Sequence, residues 1–551
     1  MTRGKWLSAT VLLSAMCCGA AQKKYIAVSW DLDRMPLDEK LANAETLDRL
    51  PFDGMCVMLD ARASTGARMS SRDLFTEPEW KREELEPLVA KHRELLSHKC
   101  CRESFLETFR APKKRLAWTD DAAWGRIAHN MEVAAWFARR SGYVGLQMDI
   151  EDYDHQEQYV RQKDEMPYDE LLKLARQRGR EVFSGVFREF PDVRILTFWL
   201  MMFDPAYRGE GDVLMMMRRR EDLWPAFVNG ILDVLPPTAC LIDGDEHAYR
   251  YEATDLDFHR AATWGRNRFL AFVEPENRMK YLSQVQTSFG VYLDMYLNDP
   301  SAANWYFGPV EGSRLTHLRN NLAQATDVAT EYVWLYGEKW SWLSGGAAHR
   351  RHPGISEKSW DEALPGFYDM VASVRNPAAF AKSMFARFAA GEIKPANVNG
   401  ACSGEGDAVP SPFSTWKNDA KQRGPGRFFR DGTVGDGDSS SLCAEGVCTG
   451  CFMVTLDGLK PGDRYGVSVS AKGASEAFRI DVYGRKLNAG HFKWDRPVIS
   501  VPVKQGSDEW RHGAGSFTVP DWADSLMFQL PVRQEPGEKC WYDNLAIFKM
   551  D

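Results

Sequence analysis

The stretch YVWLYGEKWSW, residues 332–342, places one carboxylate, Glu338, inside a dense run of aromatic side chains. Its first half has the aromatic and β-branched composition of a short buried strand. Side chains alternate in direction along a strand, so Tyr332, Trp334, Tyr336 and Glu338 share one face. We interpret the stretch as the last strand of a parallel sheet, with an acid at its carboxyl end.

The region before this stretch, from residue 25 onward, alternates short apolar runs with amphipathic segments of helical length. This alternation is typical of an α/β domain with parallel strands. Eight strands are predicted, namely Tyr25–Asp31, Gly54–Asp60, Ser104–Phe109, Tyr143–Glu151, Val193–Met202, Ala239–Asp245, Phe289–Tyr296 and Glu331–Glu338. Eight such units predict a (β/α)8 TIM barrel. With its flanking helices, this domain is expected to span residues 22–390.

The composition changes near residue 397, where Gly, Ser and Asp become frequent and turn signals separate short alternating runs. This pattern predicts an all-β, jelly-roll-like sandwich over residues 391–551. Its last segment contains Trp541-Tyr542-Asp543-Asn544 and resembles the final strand of jelly-roll carbohydrate-binding modules. A purely structural sandwich that packs against the barrel is the alternative interpretation.

Charge and length exclude several classes of protein. At 551 residues the chain exceeds what one hydrophobic core usually serves. The net charge of −8 argues against a nucleic-acid partner.

Residues 1–21 combine Arg3 and Lys5, an apolar stretch and a small-residue end at Ala21, which predicts a cleaved signal peptide and a secreted or periplasmic protein. No later stretch is apolar over the length of a membrane span.

Nine cysteines remain after residue 21, so at least one is free or pairs with another chain. Five of them favour disulfides within the carboxyl-terminal region: Cys402, Cys443, Cys448, Cys451 and Cys540. A zinc site is the competing interpretation, but no His stands at ligand spacing. We therefore expect neither a metal nor another cofactor.

Acids recur where the predicted strands end, which is where barrel enzymes carry their chemistry. Glycoside hydrolysis needs two carboxyl groups across the scissile bond. The candidate catalytic acids are Glu338, Glu151, Asp149, Asp243 and Glu246, with Glu338 and Glu151 as the main pair. Asp31, Asp294 and His247 are candidates for substrate binding. Each acid could instead be a buried structural acceptor.

Aromatic rings stack on the apolar faces of pyranose rings, and we expect Trp334, Tyr336, Trp340 and Trp342 to provide such surfaces. The alternative is that these rings belong to the core.

The segments Asp149–Tyr153, Asp243–Glu246 and Trp334–Trp340 resemble exported bacterial proteins of the TIM-barrel glycoside hydrolase type, over about residues 25 to 345. The resemblance implies an enzyme that cleaves a poly- or oligosaccharide or a glycoprotein glycan. A non-catalytic glycan-binding surface protein on an enzyme-like barrel is the alternative. A polysaccharide lyase, with His247 or Tyr249 as base, is a third reading.

Overall fold

The computed structural model describes residues 22–64, 66, 68–75, 78–108, 111–201, 207, 211–310, 312–345, 347–396, 398–486, 491–492, 497–503 and 507–550. The predicted signal peptide therefore lies outside the described residues. The first eleven strands are β1 Lys24–Ser29, β2 Gly54–Met58, β3 Asp60–Arg62, β4 Arg68–Ser70, β5 Phe105–Thr108, β6 Gly145–Met148, β7 Arg194–Thr197, β8 Cys240–Asp243, β9 Val285–Thr287, β10 Phe289–Tyr292 and β11 Tyr332–Gly337. The helices are α1 Trp30–Asp33, α2 Leu37–Ala42, α3 Ala44–Leu47, α4 Arg82–Ser97, α5 Asp121–Ser141, α6 Tyr168–Glu189, α7 Val213–Arg220, α8 Trp224–Val234, α9 Asp257–Asn267, α10 Arg278–Gln284, α11 Arg314–Val328, α12 Ala347–Arg351, α13 Trp360–Ala363, α14 Phe367–Arg375 and α15 Pro377–Ala389.

Nine parallel strands form a nearly closed barrel, in the order β10-β11-β1-β2-β5-β6-β7-β8-β9. Strands β9 and β10 are separated only by Ser288, so β9 pairs with β8 and the chain then crosses to pair with β11. The backbone N–H of Thr330 donates to the carbonyl of Thr287 at 2.8 Å, which joins the two ends of the sheet. The carboxyl ends of the parallel strands therefore all lie at the same end of the barrel, which we call the rim.

Each of the eight predicted strands overlaps an observed one, but the observed strands stop earlier. Asp31 lies in α1, and Asp149 and Glu151 follow the end of β6. Strand β9 was not predicted, because its three partly exposed residues lack the apolar alternation of a strand. The acids of the rim thus stand on loops and short helices just beyond the sheet.

Helices pack around the barrel and hold its strands in place. Helix α5 shows how the sequence sets their limits: the Asp120 carboxylate caps its first turn by accepting from the Ala123 N–H at 2.9 Å, and Gly142 ends it at φ 96°. Its apolar face, including Ala134 and Phe137, is fully buried. One apolar core extends from Tyr25 to Val371.

The carboxyl-terminal part consists of antiparallel strands: β12 Lys394–Pro395, β13 Ser414–Lys417, β14 Arg427–Asp431, β15 Ser441–Glu445, β16 Gly450–Asp457, β17 Arg464–Gly473, β18 Arg479–Lys486, β19 His491–Phe492, β20 Ile499–Pro502, β21 Ser507–Thr518, β22 Ser525–Val532 and β23 Lys539–Lys549. One sheet has the order β14-β15-β23-β17-β21, with β12 beside β23. The other has the order β13-β16-β22-β18-β19, with β20 beside β18. Side chains from both sheets share a second buried core, which includes Val467, Ile547, Ile480 and Phe528.

A small third cluster joins the two parts, with Phe380 and Met384 of α15 packed near Ala514 and Phe548 of the first sheet. The buried Arg319 of α11 donates to the carbonyl of Ser500 at 3.0 Å. The barrel helices and the carboxyl-terminal sheets are therefore in direct contact.

All nine cysteines of the described residues are free thiols, so the predicted disulfides in the carboxyl-terminal region are absent. Eight of these nine side chains are buried, and apolar packing is the ordinary role of a buried thiol. Within the described ranges, no group of three or more His, Cys, Asp or Glu side chains is arranged to hold a metal ion. None of the described helices has both the length and the apolar character needed to cross a membrane.

Candidate active site

Glu338 follows β11 and accepts hydrogen bonds through both carboxylate oxygens. The phenol of Tyr336 donates to Oε1 at 2.7 Å, and the phenol of Tyr292 donates to Oε2 at 2.8 Å. Tyr292 and Tyr336 are register partners on the adjacent strands β10 and β11, so the sheet itself places the two donors side by side. This arrangement suits an ionised carboxylate that must keep one orientation.

Asp294 fixes the backbone at the same point. Its carboxylate accepts from the N–H of Glu338 at 2.8 Å and from the N–H of Lys339 at 3.2 Å. Burial, together with the nearby charge of Glu338, raises the pKa of Asp294 to about 7. Asp294 is fully buried, so it positions Glu338 instead of contacting substrate as predicted.

Asp31 has the equivalent role on the other side of β11. It accepts from the backbone N–H of Trp342 at 2.7 Å and from the hydroxyl of Ser29 at 2.5 Å. Burial raises the pKa of Asp31 to about 6. Only 2% of Asp31 is exposed, so the predicted contact with substrate is replaced by a structural one.

Asp149 and Glu151 follow β6. Asp149 accepts from the backbone N–H of Glu151 at 2.8 Å, and the exposed phenol of Tyr153 donates to the Glu151 carboxylate. Both acids fall inside the predicted strand Tyr143–Glu151, but β6 ends at Met148 and the Asp149 carboxylate holds the turn that carries Glu151. Asp149 is therefore buried beneath a half-buried Glu151.

Glu246 follows β8, after Asp245 turns the chain in the left-handed region at φ 39°. Burial, and then the negative charges of Glu151 and Asp149, raise the pKa of Glu246 well above its usual range. Glu338 contributes in the same direction. These acids from three separate strand ends are therefore close enough to act on one another, and Glu246 binds its proton more tightly than an exposed Glu.

Asp243 is a member of the predicted set that does not join these acids. Its carboxylate accepts from the Leu200 N–H at 3.0 Å, and Asp243 lines a small pocket together with Tyr281 of α10. Burial and the charge of Asp245 raise its pKa to about 6. It therefore lies on the helix side of the barrel wall, because the other residues of this pocket include members of α9 and α10.

Two of the predicted stacking rings are in the core. Trp334 is fully buried, stacks on Phe198 with centroids 4.6 Å apart, and donates through its indole N–H to the Gly244 carbonyl at 2.8 Å. Trp342 is 1% exposed and stacks on Tyr368 with centroids 6.0 Å apart. We therefore exclude both rings from the sugar-contacting surface.

The other predicted residues lie nearer to solvent. Tyr336 is half-buried and stacks on Tyr249, with ring centroids 5.4 Å apart and planes at 4°. Trp340 is also half-buried. The ring of His247 lies 5.9 Å from that of Trp199.

Exposed aromatic rings that the sequence interpretation missed surround the acids. Trp30, 36% exposed, donates through its indole N–H to the Tyr336 phenol at 3.1 Å. Trp305, 42% exposed, packs edge to face against Tyr292 with centroids 5.8 Å apart. Both rings thus contact a tyrosine that binds Glu338. An exposed Trp directly after a strand, as at residue 30, is the signal that could have identified one of them.

A second group of acids lies deeper and surrounds Arg72, which was also missed. The guanidinium of Arg72 is 2.5 Å from the carboxylate of Glu107 on β5 and 3.6 Å from that of Asp33. Burial and the charge of Asp33 raise the pKa of Glu107 well above its usual range. The barrel end therefore contains more carboxyl groups than cations.

No family model matches this chain, and neither does any curated protein. Solved structures that resemble parts of it include the family 22 carbohydrate-binding module of Clostridium thermocellum Xyn10B, at 18% identity and a TM-score of 0.21, covering 28% of this chain and 96% of that one. The family 22 and family 10 modules of the same organism's endo-1,4-beta-D-xylanase 10B match at 13% identity and a TM-score of 0.21, covering 28% of each chain.

The enzymatically active domain of bacteriophage CBA120 tailspike protein 4 matches at 16% identity and a TM-score of 0.20. That match covers 24% of this chain and only 18% of the tailspike chain. The function proposed below therefore rests on the geometry of the site.

Proposed function

We propose that this protein is a glycoside hydrolase, with Glu246 as the proton donor and Glu338 as the carboxylate that acts at the anomeric carbon. The observation that carries the proposal is the difference between these two acids. Glu246 is buried among negative charges that raise its pKa, whereas Glu338 accepts two phenol hydrogen bonds through its two oxygens. Glycoside cleavage requires one proton donor and one carboxylate, and the two environments suit these two roles.

In this mechanism Glu246 gives its proton to the glycosidic oxygen as the bond to the leaving sugar breaks. A water molecule then bonds through its oxygen to the anomeric carbon, and the proton that this water loses restores the protonated acid. The Glu338 carboxylate stabilises the positive charge that develops on the sugar ring. Glu151 remains next to Glu246, and its negative charge maintains the high proton affinity of that acid. Trp30 and Trp305 provide apolar faces for the sugar rings.

The proposal includes the architecture and the location of the protein. We propose that β9 and β10 form one interrupted strand, so that the barrel is of the (β/α)8 type. Residues 22–390 would carry catalysis, and residues 391–551 would form a jelly-roll-like, glycan-binding sandwich. Residues 1–21 would direct export to the periplasm or the medium. Amino-terminal sequencing of the exported protein tests the last point.

The experiment is a screen of residues 22–551 against mucin-type, plant and algal glycans, with released sugars identified by mass spectrometry. Release of a defined sugar by the wild type, lost in Glu338→Gln, is the expected result. The matched control is Glu170→Gln, which changes an exposed acid on α6 and should retain full activity. Glycan binding without release from any substrate would favour the non-catalytic alternative.

A further inference from the structure

A buried amide lies in the barrel below the acids of the active site. Gln147 on β6 is 0% exposed, and neither its side-chain oxygen nor its side-chain nitrogen has a hydrogen-bond partner among the described residues. Its register partner on β5 is Glu107. Register partners on neighbouring parallel strands point to the same face, so Gln147 and Glu107 face the same space. Burying an amide in this way is costly unless something binds it.

The charges around this space restrict what can bind there. Glu107 and Asp33 flank Arg72, and Asp149 lies close enough for its charge to act on both Arg72 and Glu107. One guanidinium thus faces three acids, and it is already engaged by two of them. Among the described residues the acids around this space outnumber the cations, so an anionic sugar entering it would meet repulsion.

Hydrogen-bonding capacity then selects among neutral and cationic groups. The Gln147 amide offers both donors and an acceptor. An ammonium group only donates, so it would leave the amide N–H groups unmatched, and a carboxylate only accepts. Hydroxyl groups do both, and two adjacent hydroxyls can satisfy the two ends of one amide.

We propose that Gln147, Glu107 and Asp149 form the floor of a sugar subsite that selects a neutral sugar with two adjacent free hydroxyl groups. This inference rests on the proposed function, because it describes the sugar held beside Glu246 and Glu338. Arg72 acts as a positioning residue: it orients Glu107 and is not itself available to a substrate.

The test is amide hydrogen exchange on the whole protein, which localises binding without requiring catalysis. The probes are D-glucose, D-galactose, D-mannose and D-xylose, with D-glucuronic acid as the matched anionic sugar. In peptides that cover β5 and β6, a neutral sugar at ten times its Kd should slow exchange about tenfold. Glucuronic acid should leave exchange in these peptides unchanged.

The variant Gln147→Leu should abolish this protection, because leucine has a similar volume but no polar atoms. It should not unfold the protein, since an unmatched buried amide is removed. The control Gln324→Leu changes a partly buried amide on α11 and should leave the protection intact. The inference is overturned if no neutral sugar protects β5 and β6, if glucuronic acid protects them equally, or if Gln147→Leu retains protection.

The two proposals fail in different ways. Protection of β5 and β6 without hydrolysis of any glycan would remove the catalytic proposal and keep the subsite. Hydrolysis that is lost in Glu338→Gln but unaffected in Gln147→Leu would keep the enzyme and remove the subsite.

Discussion

Asp294 accepts the backbone N–H of Glu338 at 2.8 Å, so a fully buried acid on one strand end fixes the candidate catalytic acid on the next. Asp31, which follows β1 on the other side of β11, accepts a hydrogen bond from the backbone N–H of Trp342. The segment that contains the proposed catalytic carboxylate is therefore clamped from both sides. Its position depends on these two acids as well as on its own side-chain contacts.

Replacing Asp294 should reduce catalysis more than stability. Asp294→Ala leaves the N–H groups of Glu338 and Lys339 without their acceptor. The backbone that carries the Glu338 carboxylate is then no longer held in place. We expect kcat to fall about 10- to 100-fold, as for other small displacements of catalytic groups. Steady-state kinetics on the substrate found in the screen measures this. Glu170→Ala, which changes an exposed acid on α6, is the control; equal losses in the two variants would contradict the clamp.

The phenols of Tyr292 and Tyr336 should each contribute to the orientation of Glu338. Tyr292→Phe removes one hydrogen bond to Glu338, and Tyr336→Phe removes another together with the acceptor of the Trp30 indole N–H. A hydrogen bond to a carboxylate is worth about 1.5–3 kcal/mol. We therefore expect kcat/KM to decrease about 10- to 100-fold in each variant. The ring packing is retained, so the midpoint of thermal unfolding should fall by only a few degrees. Unchanged kcat/KM in both variants would show that Glu338 needs no such support.

The pH dependence of activity should reflect the proton on Glu246. Because its pKa is raised, Glu246 should lose its proton at a higher pH than an exposed Glu, and kcat/KM should fall on the alkaline side as this proton is lost. Glu246→Gln should remove about 10²- to 10⁴-fold of activity on natural glycans.

Leaving groups separate the roles of the two acids. An aryl glycoside with a good leaving group needs no proton donor, so Glu246→Gln should lose far less activity on it than on a natural glycan. Glu338→Gln should lose activity on both substrates. The same loss on both substrates in Glu246→Gln would assign the proton to another group.

Stability should decrease as pH rises. Asp31 and Asp294 have raised pKa values of about 6 and about 7 in the folded protein, whereas an unfolded Asp titrates near ~3.9. The folded state therefore binds more protons between these values, and the free energy of unfolding falls from about pH 4 to about pH 7. Urea unfolding at pH 5 and pH 8 measures the difference, and it should be smaller in Asp294→Asn. A protein more stable at pH 8 would contradict both shifts.

Buried and exposed tryptophans should respond in opposite ways. Trp334→Ala removes a fully buried ring below the acids, and we expect a loss of about 3–5 kcal/mol in the free energy of unfolding. Trp305→Ala removes an exposed ring and should leave stability unchanged while raising KM about 5- to 30-fold. Denaturant unfolding and kinetics on both variants distinguish the roles. A destabilised Trp305→Ala with normal KM would place that ring in the fold instead of the site.

The apolar periodicity of the sequence located eight of the nine barrel strands, because apolar runs and their spacing are local properties. It missed β9, whose three residues become a strand only by pairing with β8. It identified Glu338, Glu151 and Glu246 as acids near strand ends, but it also included Asp243, which faces the helices. Neighbouring residues of a strand point to opposite faces of the sheet, so a shift of one position decides whether an acid faces the barrel interior or the helices. The pattern of a sequence does not fix strand limits that closely.

The sequence by itself determined a parallel α/β region followed by an antiparallel one, and a strand-end acid surrounded by aromatic residues. These features depend on alternation and composition, which neighbouring residues define. Only the tertiary structure decided that Trp334 lies in the core, that Asp31 and Asp294 hold backbone instead of sugar, and that Arg72 joins Glu107. Those roles arise from contacts between strands far apart in the chain, where burial and charge set what each side chain can do.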